Sequence, residues 1–207
     1  MKCDATPNGL RLPDMNDSAS PSFPDVLVDE RRAVPATRDA RDILVWSALD
    51  EVADPEIPAV SVVELGVIRG FAFQERPHGG ESLTVELLPT FVGCPAVDVM
   101  QQQIGDRLRA LELVDEVRVE ISFAEPWTSD RISPEGRAKL RGSGFAPPVS
   151  IDATFSGEEL QMMLPAADCP YCGSRNTTLE NAFGPTLCRA IYHCADCRQP
   201  FEQFKSV

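Results

Sequence analysis

The chain has 207 residues, 43% hydrophobic and 25% charged, which gives a soluble globular protein room for one ordinary domain and something smaller. A formal net charge of −13 argues against non-specific nucleic-acid binding, because phosphates repel an acidic surface. No apolar run approaches membrane-spanning length, and Met1–Ala5 lacks the apolar core of a signal peptide, so no membrane partner and a cytoplasmic location are expected.

Residues 1–36 are rich in Pro, Asp, Ser and Asn without periodicity and are expected to form a flexible extension. Order should begin near Thr37, an N-cap candidate, with Ile43, Trp46, Leu49 and Val52 at helical spacing. Asp54-Pro55 should stop that helix, since the residue before proline is pushed out of the helical region. A strand over 67–74, a turn at Pro77–Gly80 and a strand over 82–88 follow. A helix over about 95–111 carries Val97, Met100, Ile104, Leu108 and Leu111 on one face. A third strand over 116–123 should turn Val117, Val119, Ile121 and Phe123 inward. Ser133 then caps a short helix with Pro134 in its first position.

This order predicts an α+β domain over 37–148: a small three-stranded sheet with packed helices. Residues 149–167 read as a linker, although Ser156–Glu159 matches a capping box. The remaining 168–207 should form a zinc ribbon. Cys169, Cys172, Cys194 and Cys197 make two Cys-x-x-Cys knuckles, each offering two thiolates from one tight turn, and together a tetrahedron. A unit this small buries too little apolar surface to fold alone, so the metal must supply part of its folding energy. Zinc is favoured; iron is the rival, because Cys169-Pro170-Tyr171-Cys172-Gly173 also has the form of a rubredoxin-type knuckle. Four thiolates leave no open position for water, so the site should be structural. Cys188 and His193 are spare candidate ligands.

Cys94, in Thr90-Phe91-Val92-Gly93-Cys94-Pro95, falls at the head of the long helix. Backbone amides and the helix dipole there would favour a thiolate, and Thr90 could hydrogen-bond into the loop; the alternative is a small buried cap residue. Asp54 and Glu56 form a second polar cluster that reads equally as a helix stop. With His78 and His193 the two histidines, and no phosphate-cradling glycine loop, no stand-alone catalyst is expected.

Asp54-Pro55-Glu56-Ile57-Pro58, Ser61–Gly66 and Pro89-Thr90-x-x-Gly93-Cys94-Pro95-Ala96 resemble motifs of the iron–sulfur assembly factor family. Pro126–Asp130, Ser133-x-x-Gly136-Arg137-x-Lys139-Leu140 and the tail from Cys169 to Cys197 resemble one branch of it, PaaD (also PaaJ). Members of that branch are accessory subunits of the bacterial phenylacetyl-CoA ring-1,2-epoxidase. The resemblance covers about Thr37 to Val207; the linker is longer than the pattern, and Leu88 stands where it has a threonine. It implies a role in phenylacetate catabolism, helping the oxygenase and reductase subunits of that system acquire or keep metallocentres. It further implies structural zinc, a transient iron–sulfur cluster, and a working site of Asp54, Thr90 and Cys94. An electron-transfer or docking subunit of the same complex is the alternative.

Overall fold

The computed structural model describes residues 40–91, 93–148 and 167–205. The Thr37 cap, the 1–36 extension, the 156–159 capping box and nearly all of the linker lie outside the described residues.

Helix α1 spans Ala40–Asp50 and buries Val45, Trp46, Ala48 and Leu49. Trp46, Leu49 and Val52 of the expected stripe are buried, but Ile43 is 55% exposed, because Val45 and Ala48 turn to the core in its place. The helix ends four residues before Asp54, and the 52–62 segment folds back on itself: Asp54 N–H donates to Val60 O at 2.8 Å and Val62 N–H to Val52 O at 2.9 Å. Strand β1 (Ile68–Glu75) pairs antiparallel with β2 (Glu81–Leu87) across the predicted turn. Helix α2 (Ala96–Arg109) then crosses over, so β3 (Glu116–Ile121) runs parallel to β2, giving sheet order β1-β2-β3.

The α2 face of Val97, Met100, Ile104 and Leu108 is buried as the spacing predicts. The inward expectation for β3 holds at Val117 and Val119, the latter packed partly buried against the core, and fails beyond them. Val117 is buried, but Ile121 is 38% and Phe123 69% exposed, because β3 is an edge strand and its pairing ends at Ile121. A 3₁₀ turn (Ser129–Arg131) leads into α3 (Pro134–Gly142), whose cap is the predicted one: Ser133 Oγ accepts from Gly136 N–H at 2.9 Å. Gly66 is indispensable here. Its φ is +68°, and a Cβ would sit 2.3 Å from the Arg131 carbonyl oxygen.

The C-terminal part is a four-stranded sheet, order β4-β7-β6-β5. Strands β5 (Thr177–Asn181) and β6 (Arg189–Cys194) lie on either side of the Gly184-Pro185 turn signal expected between two strands, around 177–183 and 187–194, whereas β7 (Pro200–Phe204) carries no turn signal of its own. β4, two residues long (Phe145–Ala146), leaves the first part and pairs parallel with β7. The cores are also joined. Cys188 and Phe204 belong to the same buried cluster as α1, α2 and the first sheet, with the Phe204 ring 5.8 Å from that of Trp127. A second cluster, around stacked Tyr192 and Phe201, serves the ribbon itself. Among the described residues, no helix is long and apolar enough to cross a membrane.

Candidate functional site

The two Cys-x-x-Cys turns have the same backbone. Gly173 N–H donates to Cys169 O, and Arg198 N–H to Cys194 O, both at 2.9 Å. Cys169 N–H reaches Ser174 O at 2.9 Å, and Cys194 N–H reaches Gln199 O at 3.0 Å. The residue after each second cysteine takes positive φ, +74° at Gly173 and +61° at Arg198. The difference in sequence between the knuckles therefore does not extend to their fold.

These turns bring the four Sγ atoms within 4.8 Å of one another, with Cys169–Cys197 and Cys172–Cys194 each 3.6 Å apart. A tetrahedron with metal–sulfur bonds of about 2.3 Å has edges of about 3.8 Å, so the thiols already stand at ligand spacing. The amides of Cys197 and Asp196 pull the Cys194 thiol down to about 7, while burial and the adjacent sulfurs push Cys197 up to about 12. A bound cation would resolve that competition by taking all four as thiolates. Asp196 braces the group from outside, accepting from Ser174 Oγ at 2.5 Å and Asn176 Nδ2 at 2.8 Å. The four cysteines form a metal-binding group. His193 lies outside it, paired with Thr178 and Pro200 in the sheet.

Cys94 is half-buried and precedes α2 by one residue more than the spacing suggested: Pro95 is the N-cap, and Ala96 the first helical residue. It opens onto a cleft of about 260 Å³ between the two parts of the molecule. Thr90, Phe91, Cys94 and Pro95 form one wall; the turn 184–188, ending in Cys188, forms the other. Cys188 is buried, with Sγ 3.1 Å from Thr186 Oγ1. Burial pushes its thiol up; the Thr186 hydroxyl pulls against this, as does Arg189, while Glu56 and Cys94 add to the rise. Cys188, weighed from sequence as a spare ribbon ligand, instead lines the same cleft as Cys94.

Asp54 does not line this cleft. It is buried, and its Oδ1 accepts from Glu56 N–H at 2.9 Å and Ile57 N–H at 2.7 Å, closing the Asp54–Ile57 turn. Burial holds its carboxyl above the usual aspartate range. The turn delivers Glu56 to Arg189, which follows Cys188: Arg189 Nη2 is 3.0 Å from Glu56 Oε2, and Nη1 is 3.0 Å from Glu202 Oε2. Asp54 is thus connected, through Glu56 and Arg189, to the residue next to Cys188. Sequence reasoning missed this Arg189 bridge, for neither residue carries a local signal of its distant partner.

Residues 44–121 match the family described as iron–sulfur cluster assembly protein, and residues 156–205 match the PaaD zinc beta ribbon domain. A protein of Escherichia coli (strain K12), provisionally named as a component of 1,2-phenylacetyl-CoA epoxidase, is 33% identical over 79% of this chain and 92% of its own length. The chain belongs to the PaaD family. Its first part alone is also similar to the Fe-S protein maturation auxiliary factor YitW of Bacillus subtilis (strain 168), 32% identical over 43% of this chain and 82% of that protein. Among solved structures, a conserved hypothetical protein of Thermotoga maritima is 30% identical, with a TM-score of 0.38, covering 50% of this chain and 95% of that one. The cleft of this PaaD family member thus lies where the region matching the assembly family meets the region matching the ribbon.

Proposed function

We propose that the protein is an accessory maturation factor of a phenylacetyl-CoA epoxidase, helping its reductase component acquire or keep an iron–sulfur cluster. The observation that carries this reading is the extent of the match to the Escherichia coli epoxidase component: 79% of this chain aligned over nearly the whole relative. Similarity of the first part to a maturation auxiliary factor supports assembly work rather than electron transfer. Partners are then the oxygenase and reductase subunits of that epoxidase.

In this reading Cys169, Cys172, Cys194 and Cys197 hold zinc, which supplies folding energy and leaves no open coordination position. The working thiol is Cys94, exposed to the cleft beside Thr90. Asp54 is a positioning residue, holding the turn that ties Glu56 to Arg189.

The test is complementation in a bacterium deleted for its own PaaD. Cys94→Ser keeps the volume of the side chain, so the purified variant should fold and retain one zinc per chain. In cells it should leave the reductase depleted in cluster and epoxidase activity lost. Full complementation by Cys94→Ser would overturn the reading and leave docking as the better account. One equivalent of iron in the ribbon, with charge-transfer colour, would favour electron transfer instead.

A further inference from the structure

The four-cysteine group is closed. A metal held by four protein thiolates has no position to offer a recipient, so it is a poor place from which to hand anything on. The cleft has the opposite character. It presents Cys94 from the loop before α2 and Cys188 from the ribbon, and about 260 Å³ of open volume exceeds what one ion needs. Both thiols are free of disulfides, and neither belongs to the four-cysteine group. Thr90 and Thr186 line the same cleft, and Thr186 Oγ1 is 3.1 Å from Cys188 Sγ. The Arg189 bridge to Glu56 fixes the ribbon wall against the first part, setting the width of the gap.

We propose that Cys94 and Cys188 form a second, two-thiolate site that takes a thiophilic divalent cation, ferrous iron in the cell, as cargo. The proposal deepens the maturation reading and rests on it for the identity of the cargo. Two thiolates select soft or borderline cations over magnesium and calcium. Binding forms two metal–sulfur bonds and releases the two thiol protons to solvent, with no change of oxidation state. The remaining coordination positions face the open cleft, where the thiolates of a recipient protein can enter. The ribbon on this reading has a purpose beyond its own fold: it carries one of the two ligands.

Cobalt(II) serves as a coloured stand-in for ferrous iron. The full chain is prepared anaerobically with its four-cysteine group loaded with zinc, in a Cys3→Ser background that leaves Cys94 and Cys188 as the remaining thiols. One further equivalent of cobalt should bind, with thiolate-to-metal charge-transfer absorption. That absorption should fall to roughly half in Cys94→Ser and in Cys188→Ser, and vanish in the double variant, since it counts metal–thiolate bonds. Wild-type absorption in Cys188→Ser, or an unchanged signal in the double variant, would overturn the pair. In case Cys188→Ser fails to fold, the unsubstituted chain is treated with an arsenoxide that bridges two neighbouring thiols. Mass spectrometry should find one arsenic joining the Cys94 and Cys188 peptides, and separate single-thiol adducts would refute the site. These results are independent of complementation: a failed pair leaves the Cys94 reading standing, and a Cys94→Ser that complements sinks that reading whatever cobalt does.

Discussion

Substituting Phe204 by alanine probes whether the ribbon stabilises the rest of the molecule. Phe204 ends β7, is 2% exposed, and sits in the first cluster, its ring 5.8 Å from Trp127. Trp127 is itself anchored, its indole N–H donating to Leu65 O at 3.1 Å, so it cannot simply follow a shrinking neighbour. Removing a buried phenylalanine ring costs about 3–5 kcal/mol, of which the part not recovered by collapse is the cavity left behind. Area arithmetic on the about 150–250 Å² such a side chain carries gives about 4–6 kcal/mol, an upper bound for the same loss. At about 2–4 °C per kcal/mol for a chain of this size, Tm should fall by about 6–20 °C. Tryptophan fluorescence is the right assay, because the chain's two tryptophans, Trp46 and Trp127, both lie in the first part. Phe183→Ala, at a ring 66% exposed, is the control and should change little. If Phe204→Ala moves the tryptophan-detected transition by less than about 3 °C with zinc retained, the two parts fold independently and the argument fails.

Two further outcomes follow from backbone and charge. Arg198 takes φ +61° in a turn where its counterpart is Gly173, so Arg198→Gly should raise Tm by a few degrees by relieving about 1 kcal/mol of strain, and Gly173→Ala should lower it; calorimetry with zinc present checks both. Burial raises the Asp54 carboxyl, so the folded state binds this proton more tightly than the unfolded state, and Asp54 lowers stability above its folded pKa but not below the ordinary value of about 3.9. An asparagine oxygen can still accept from Glu56 and Ile57, so Asp54→Asn should be as stable as the native chain or more so at pH 7, with the difference shrinking on acidification; an unfolding free energy from urea titration at pH 7 lowered by more than about 1 kcal/mol would contradict this.

Local signals in the sequence carried the first part of the fold well, because its elements are specified by patterns within one element. The α2 face repeats every three or four residues, Ser133-Pro134 marks a helix start, and the 77–80 turn joins two alternating strands; all three stand in the structure. The failures share a cause. Ile43 and Phe123 are apolar residues at the right spacing, and spacing says which residues share a face but not whether another element covers it. α1 buries Val45 and Ala48 beside the expected Trp46 and Leu49 and leaves Ile43 out, and the β3 ladder ends at Ile121, two residues before Phe123. β4 was invisible for a related reason, since two residues have no period and Phe145-Ala146 becomes a strand only because β7 lies beside it.

The site divides along the same line. Cys169, Cys172, Cys194 and Cys197 are legible because two sulfurs of one tight turn must stand near each other, whatever the rest of the chain does. The second knuckle even overrides its sequence, for Arg198 adopts the turn that glycine adopts in the first. Cys188 has no such constraint. It sits six residues before Cys194, close enough in sequence to pass for a ribbon ligand, yet its side chain leaves the opposite end of β6 toward the first part. What sends it there is tertiary: Arg189 reaching Glu56 across the chain, Phe204 against Trp127, and the 184–188 turn closing over the loop that holds Cys94. A buried guanidinium with carboxylates on both sides has more geometric consequence than energetic weight, since desolvation offsets much of such a pair's attraction. Its effect is to fix which face of the ribbon meets the cleft, and so which cysteine shares the cleft with Cys94.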